Sequence, residues 1–244
     1  MTLSRLTTSL LAALALAMVA PIDATAQPKA PPAGSAKPEA PPAGSARPGA
    51  PTAESIAAKV QAFYNQTNTF QASFKQVYKV KAYNQTKKSA GKVIFAKPGK
   101  MSWSYDSPNG NRVVSDGKVL KVYEKENNQM FEQPVEKSQY PAALAFLMGQ
   151  GDLTKSFNLK LLDAATMKFE GGYVLEGIPK EATPAYQKVI FFVDGPTSQI
   201  RRTIILDAQG NRNTFDFKTP KVNEEVSEET FKFTPPPGTQ IIHP

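Results

Sequence analysis

Thr69-Phe70-Gln71-Ala72-Ser73-Phe74-Lys75-Gln76-Val77-Tyr78-Lys79-Val80 decides how this chain folds. Phe70, Ala72, Phe74, Tyr78 and Val80 fall on one face, and Gln71, Ser73, Lys75 and Lys79 on the other. Side chains alternate across a strand, so a period of two predicts a long strand with one buried and one wet face. Upstream the period is helical. Ile56, Val60, Phe63 and Tyr64 recur at turn spacing through an alanine-rich stretch, with Thr52 or Ser55 placed to cap its start. Downstream, segments 91–96, 101–105, 112–115, 119–123, 129–133, 157–162, 169–177, 186–194, 200–207 and 212–219 read as strands. Asn109-Gly110, Asp116-Gly117, Asp194-Gly195-Pro196 and Gln209-Gly210-Asn211 supply turn chemistry between them. The expected class is mainly β with a helical lid, about eleven antiparallel strands forming a meander curled into a barrel or part of one.

One segment breaks this pattern. Residues 140–148, Tyr-Pro-Ala-Ala-Leu-Ala-Phe-Leu-Met before Gly149, read as a short helix with proline in its first turn and glycine just past its end. It is apolar nearly all round, so it must be covered on most sides. The sheet's concave face is the apolar cover within reach.

The ends bound the compartment. Met1 to Arg5 carry one basic charge, Leu6 to Ala20 form an apolar run too short for a comfortable membrane span, and Ala24-Thr25-Ala26 offers a cleavage site before Gln27. Residues 1–26 therefore read as a signal peptide. A lipid-anchored product would need a cysteine at its new N-terminus, and the chain has none. Residues 27–51 carry an imperfect ten-residue repeat, Ala30 to Pro38 and again Ala40 to Pro48, a composition that builds no core and reads as a disordered linker. Residues 52–244 remain as one domain, about 190 residues long and stabilised by burial without disulfides.

Net charge is +8. A basic surface aids solubility and favours anionic partners. Export, and lysines scattered through strands rather than clustered, argue against nucleic acid and for a membrane surface or an acidic docking protein.

Catalytic chemistry is scarce. The one histidine, His243, is next to the last residue, where a frayed end is expected. No cysteine ligands and no glycine-rich phosphate loop are present. Glu224-Glu225 and Glu228-Glu229 read as a solvated face or helix-start charge. Carboxylates brought together from distant positions are the one enzyme arrangement that spacing leaves open. The expectation is a protein with no enzyme activity, no cofactor and no metal. What the strands do carry is a one-sided apolar face: Phe70, Phe74 and Tyr78, then Val93 and Phe95, then Met101, Trp103 and Tyr105. On periodicity alone this reads as an ordinary β core, and a ligand site is favoured only once the two apolar helices are counted with it.

Four segments, in order, carry a resemblance. They are Phe70-Gln71-Ala72-Ser73-Phe74-Lys75-Gln76; Gly91-Lys92-Val93-Ile94-Phe95-Ala96-Lys97-Pro98 leading to Met101-Ser102-Trp103; Val114-Ser115-Asp116-Gly117-Lys118; and Phe231-Lys232-Phe233-Thr234-Pro235-Pro236-Pro237-Gly238. With them the chain resembles the outer-membrane lipoprotein carrier family, LolA, from Ala53 to Thr239. The resemblance implies an unclosed (half) antiparallel barrel lidded by helices. It also implies a monomeric periplasmic shuttle that takes acylated lipoproteins from an inner-membrane lipoprotein-releasing transporter to an outer-membrane receptor. Acyl-chain contacts are then expected at Val60, Tyr64, Phe70, Phe74, Val93, Phe95, Met101, Trp103, Tyr105, Leu144, Leu147 and Met148. Two positions depart from the family. Lys97 stands where the family's lid-latching arginine would be, and lysine lacks the planar bidentate fork. Met101 stands where the family has an aromatic, although a flexible thioether still suits varied chains. The proline-rich arm is outside the family pattern. A carrier of another lipid, or a non-enzymatic β-domain with protein partners, are the alternatives.

Overall fold

The structure, a computed structural model, describes residues 51–107, 110–137 and 151–244. The signal at 1–26, all but the last residue of the 27–51 linker, and the helix read at 140–148 lie outside the described residues.

Helix α1 (Ala53–Gln66) opens the domain. Thr52 and Ser55 both cap it: Thr52 Oγ1 accepts from the Ser55 N–H at 3.1 Å, and Ser55 Oγ accepts from the Thr52 N–H at 2.9 Å. This reciprocal box satisfies two N–H groups that the first turn would otherwise leave unpaired. Thr52→Ala should lower stability by about 1 kcal/mol, seen as a lower urea midpoint at unchanged slope. An unmoved midpoint would show that the cap does not hold in solution. The helix buries Ala53, Ile56, Ala57, Val60 and Tyr64, the stripe that its turn spacing predicts.

Twelve strands follow: β1 Thr69–Val80, β2 Gln85–Ala96, β3 Lys100–Ser107, β4 Arg112–Asp116, β5 Val119–Glu124, β6 Gln129–Pro134, β7 Phe157–Leu162, β8 Gly172–Pro179, β9 Lys188–Asp194, β10 Ile200–Leu206, β11 Arg212–Val222 and β12 Gln240–Ile242. A four-residue helix, α2 (Leu153–Ser156), precedes β7, and Asp152 caps it. All strands join one sheet in the order β12-β6-β5-β4-β3-β2-β1-β11-β10-β9-β8-β7. The expected single meander is therefore two. Strands β1 to β6 run outward from the middle, the chain re-enters at the opposite edge with β7, and β7 to β11 run back until β11 pairs with β1. The two edge strands, β12 and β7, are not neighbours, so the sheet does not close.

Three details depart from the sequence reading. Strand β2 starts at Gln85, six residues early, because Gln85 to Ala90 pair in register with Val80 to Lys75. Strand β8 starts at Gly172, since Phe169 packs on Phe192 from a turn instead of joining the sheet. The C-terminal end is paired, not frayed: β12 runs parallel to β6, and His243 Nδ1 lies 3.3 Å from the Glu132 carbonyl. Glu228 and Glu229 do begin a helical turn, a 3-10 turn at Glu228–Phe231 capped by Ser227.

Each face of the sheet has its own core. On the inner face, which α1 covers, one cluster runs from Ile56 and Val60 of the helix through Phe70, Phe95, Trp103 and Phe215 to Val189 and Phe191. On the outer face, Val174, Phe192 and Ile204 make a smaller cluster beneath Ala164, Met167 and Phe169.

Candidate functional site

Alternation in β1, β2 and β3 brings the expected contact residues onto the inner face. Val60, Tyr64, Phe70, Phe74, Val93, Phe95, Met101 and Trp103 are all at most 1% exposed and lie in one cluster. Tyr105 sits at its margin, half-buried, with its ring 5.1 Å from that of Phe74. Leu144, Leu147 and Met148 lie outside the described residues. Phe215 and Phe217 of β11, and Phe157 and Phe191 nearby, belong to the same cluster. Sequence reasoning passed over them, although the strand read at 212–219 already placed Phe215 and Phe217 on one face.

Trp103 is the centre of this floor. Its ring centroid lies 5.0 Å from Phe74, 5.2 Å from Phe215, 6.1 Å from Phe95 and 6.4 Å from Phe217, mostly edge to face, the arrangement aromatic quadrupoles favour. Its indole N–H, fully buried, has no hydrogen-bond acceptor among the described residues. Beside Phe215 in register, Thr203 Oγ1 of β10 is also buried without a partner among the described residues. At the far end of the apolar stripe on β1, Gln76 donates from Nε2 to Asn213 Oδ1 at 2.9 Å, so the floor ends on a satisfied polar pair.

Helix α1 is tied across this floor by its last turn. The four final carbonyls of a helix lack internal partners, and here each finds one. Phe63 O accepts from Thr67 Oγ1 at 2.9 Å, and Gln66 O from Asn223 Nδ2 at 3.3 Å. Tyr64 O and Asn65 O both accept from Lys97 Nζ, at 2.6 and 3.0 Å. The last turn of α1 contains no basic residue, so Lys97, reaching over from the end of β2, supplies the cation that the negative end of the helix favours. Partial burial lowers the pKa of Lys97. On the other side, Tyr64 Oη accepts from the backbone N–H of Ile200 in β10 at 3.2 Å. Burial pushes the Tyr64 phenol well above its ordinary range, against the smaller opposing effect of that N–H, so it remains neutral. Burial likewise raises Tyr105. Lysine thus makes two single contacts where a guanidinium could fork.

The chemistry of this arrangement is that of an apolar surface under a tethered cover. Among the described residues no three histidine, aspartate or glutamate side chains converge as a metal site would need, and no helix is long and apolar enough to cross a membrane.

Comparison with known proteins bears on the same region. An outer-membrane lipoprotein carrier protein of Nitrosomonas europaea is 28% identical over 188 residues, covering 77% of this chain and 89% of that protein. Its counterpart in Dechloromonas aromatica is 28% identical over 180 residues, covering 74% and 84%. Among solved structures, an uncharacterised conserved protein of Thermus thermophilus superposes with a TM-score of 0.49 at 15% identity, covering 79% of this chain and 99% of that one. The profile of the family described as outer membrane lipoprotein carrier protein LolA matches residues 65–234, more than two thirds of the chain. The chain therefore belongs to the LolA family of non-enzymatic, periplasmic lipoprotein carriers.

Proposed function

We propose that this protein is a periplasmic carrier that binds the acyl chains of lipoproteins against the Trp103 floor, beneath α1, and that it performs no catalysis. In this reading residues 1–26 direct export, residues 27–51 are a linker, and residues 52–244 carry cargo as a monomer from an inner-membrane transporter to an outer-membrane receptor. Family membership is the observation that carries the proposal. The aromatic floor under a helix held at its end by polar contacts supports it.

Magnitudes explain why a cover suits a carrier. A sixteen-carbon chain moved from water to an apolar site gains about 12 kcal/mol, at about 0.8 kcal/mol per methylene. A site with nothing to displace would hold it too tightly to hand it on. Ile56, Val60 and Tyr64 already occupy the floor, and burying three such side chains is worth about 5–9 kcal/mol. Cargo has to displace them, so its net affinity falls by a similar amount and release stays possible.

Periplasmic protein purified without detergent should carry acylated lipoprotein or lipid on native mass spectrometry. Its depletion should leave lipoproteins at the inner membrane. Delipidated, folded protein that binds neither lipoprotein nor an acyl probe sinks the reading, and lipoproteins that still sort normally point to another lipid as cargo.

Lys97 tests the cover. Lys97→Leu leaves the Tyr64 and Asn65 carbonyls without their cation and should cost about 1–2 kcal/mol, with faster loading and release of a fluorescent acyl probe in stopped flow. Lys97→Arg should slow both. Unchanged exchange in the two variants would mean that α1 is held by Tyr64 and Asn223 alone.

A further inference from the structure

Among the described residues, the outer face of the sheet is covered at both flanks and not in the middle. At one flank the 3-10 turn at Glu228–Phe231 packs on β3 and β4, with Phe233 stacked 5.4 Å from Tyr123 and Lys100 paired to Glu228. At the other, Met167 and Phe169 close the cluster over β8 to β10. Between them the outward side chains of β11, β1 and β2 include exposed Ser73, Lys75, Lys79, Lys88, Lys92 and Lys218, with half-buried Val77, Ala90 and Ile94 among them.

Register makes the strip continuous. Lys218 lies opposite Ser73, Ser73 opposite Lys92, Lys92 opposite Ser104, and Ser104 opposite Arg112, one row across five strands. Strands lie about 4.8 Å apart, so the row is about 20 Å long. Further along the same face come Lys75, Lys88 and Lys79, all exposed. Among the described residues Lys75, Lys79, Lys88, Lys92 and Lys218 have no ion-pair partner. Asp216, the acidic side chain opposite Lys75, is taken up by Arg202 at 2.6 Å. A depression of about 260 Å³ opens beside the row, between Gln71, Ser73, Lys92, Ile94, Thr219 and Lys221, and Lys221 shares its charge with Glu224.

We propose that this strip is a docking surface for anionic phospholipid headgroups, separate from the inner-face site. A field chiefly of one sign, whose acids Asp216 and Glu224 are already paired, is complementary to an anionic surface. The composition favours lipid over an acidic protein. Tight protein interfaces are anchored by aromatic and arginine side chains in dry pockets, whereas this strip is chiefly lysines, compact charges on flexible stems that suit mobile phosphates. Docking by the outer face leaves α1 and the inner face uncovered, so docking itself does not block the cargo site.

The test is flotation of the full protein with phosphatidylcholine vesicles, alone or with phosphatidylglycerol, at low and at about 0.15 M salt, where screening reaches about 8 Å. Binding should require phosphatidylglycerol and weaken with salt. The combined Lys75→Gln, Lys92→Gln and Lys218→Gln variant should bind roughly a hundredfold more weakly, at about 1 kcal/mol per lysine, with unchanged thermal unfolding and unchanged acyl-probe binding. Folded protein that ignores phosphatidylglycerol vesicles overturns the proposal, as does a triple variant that binds them like the parent. Retention on immobilised polyglutamate but not on vesicles overturns it in favour of an acidic protein face. Acyl-probe binding is scored separately in the same samples, so failure of the strip and failure of the cargo site are distinguishable.

Discussion

Gly91→Ala is expected to cost more than about 4 kcal/mol, the range reached only when a specific clash or buried defect is created, and so to leave little folded protein. Gly91 lies within β2, opposite Phe74 on β1 and Tyr105 on β3, where the β2–β3 register shifts. A Cβ there would stand 1.9 Å from the Ser104 carbonyl oxygen and 3.0 Å from Cε1 of Phe74. The oxygen belongs to the neighbouring backbone, so no rotamer change relieves the contact. A glycine inside a strand marks such a close approach, and here the missing side chain also leaves room for the Phe74 ring beside Trp103. Gly177→Ala is the control. Its Cβ would meet the buried Phe157 side chain at 3.1 Å, a side-chain contact and not a backbone one, and about 1–3 kcal/mol is expected for overpacking of that kind. Urea midpoints of the two variants decide the matter. Equal losses would mean that β2 and β3 relax at Gly91 and relieve the backbone contact at the cost of ordinary overpacking.

What could be read in advance follows where the forces are local. Strand β1 was legible from Thr69 to Lys75 because one face is buried and one wet, so those residues record the period, while Gln76 and Val77 break it. The first half of β2 was not. Gln85 to Ala90 carry no apolar alternation and are strand only because β1 is long enough to pair with them. The same holds for β12, three residues beyond a proline run, whose order comes from β6. Phe169 misled because an aromatic in an apolar run reads as strand, while it covers the outer cluster from a turn broken by positive φ at Lys168 and Gly171. At the candidate site, side-chain alternation was enough to gather Phe70, Phe74, Val93, Phe95, Met101 and Trp103 on one face. The contact of Lys97 was not readable from pattern, since its partners lie 32 and 33 residues away, at a helix end that only the assembled sheet positions. Nor could the order of the strands be read. A run of hairpins looks the same in sequence whether it forms one meander or two that meet at β1 and β11.

Trp103 should separate shape from polarity on the floor. Trp103→Ala removes a side chain that is 0% exposed and touches four phenylalanine rings, and the lost burial plus the residual cavity should cost about 3–5 kcal/mol. Trp103→Phe keeps an aromatic in the same cluster and discards an indole N–H that finds no acceptor among the described residues. A buried donor left unpaired costs about 1–3 kcal/mol, so its removal offsets part of the lost area, and the net loss should stay below about 1.5 kcal/mol. The difference between the two variants, read from urea unfolding, is the quantity that matters. A Trp103→Phe loss as large as that of Trp103→Ala would show that the indole is satisfied in solution, by water or by bound cargo. Trp103 is also the one tryptophan in the chain, so its fluorescence reports on this floor alone. If acyl chains displace α1 to reach the floor, titration with an acyl ligand should change that emission in the parent protein. Emission that stays constant while the ligand binds would place the acyl chains elsewhere.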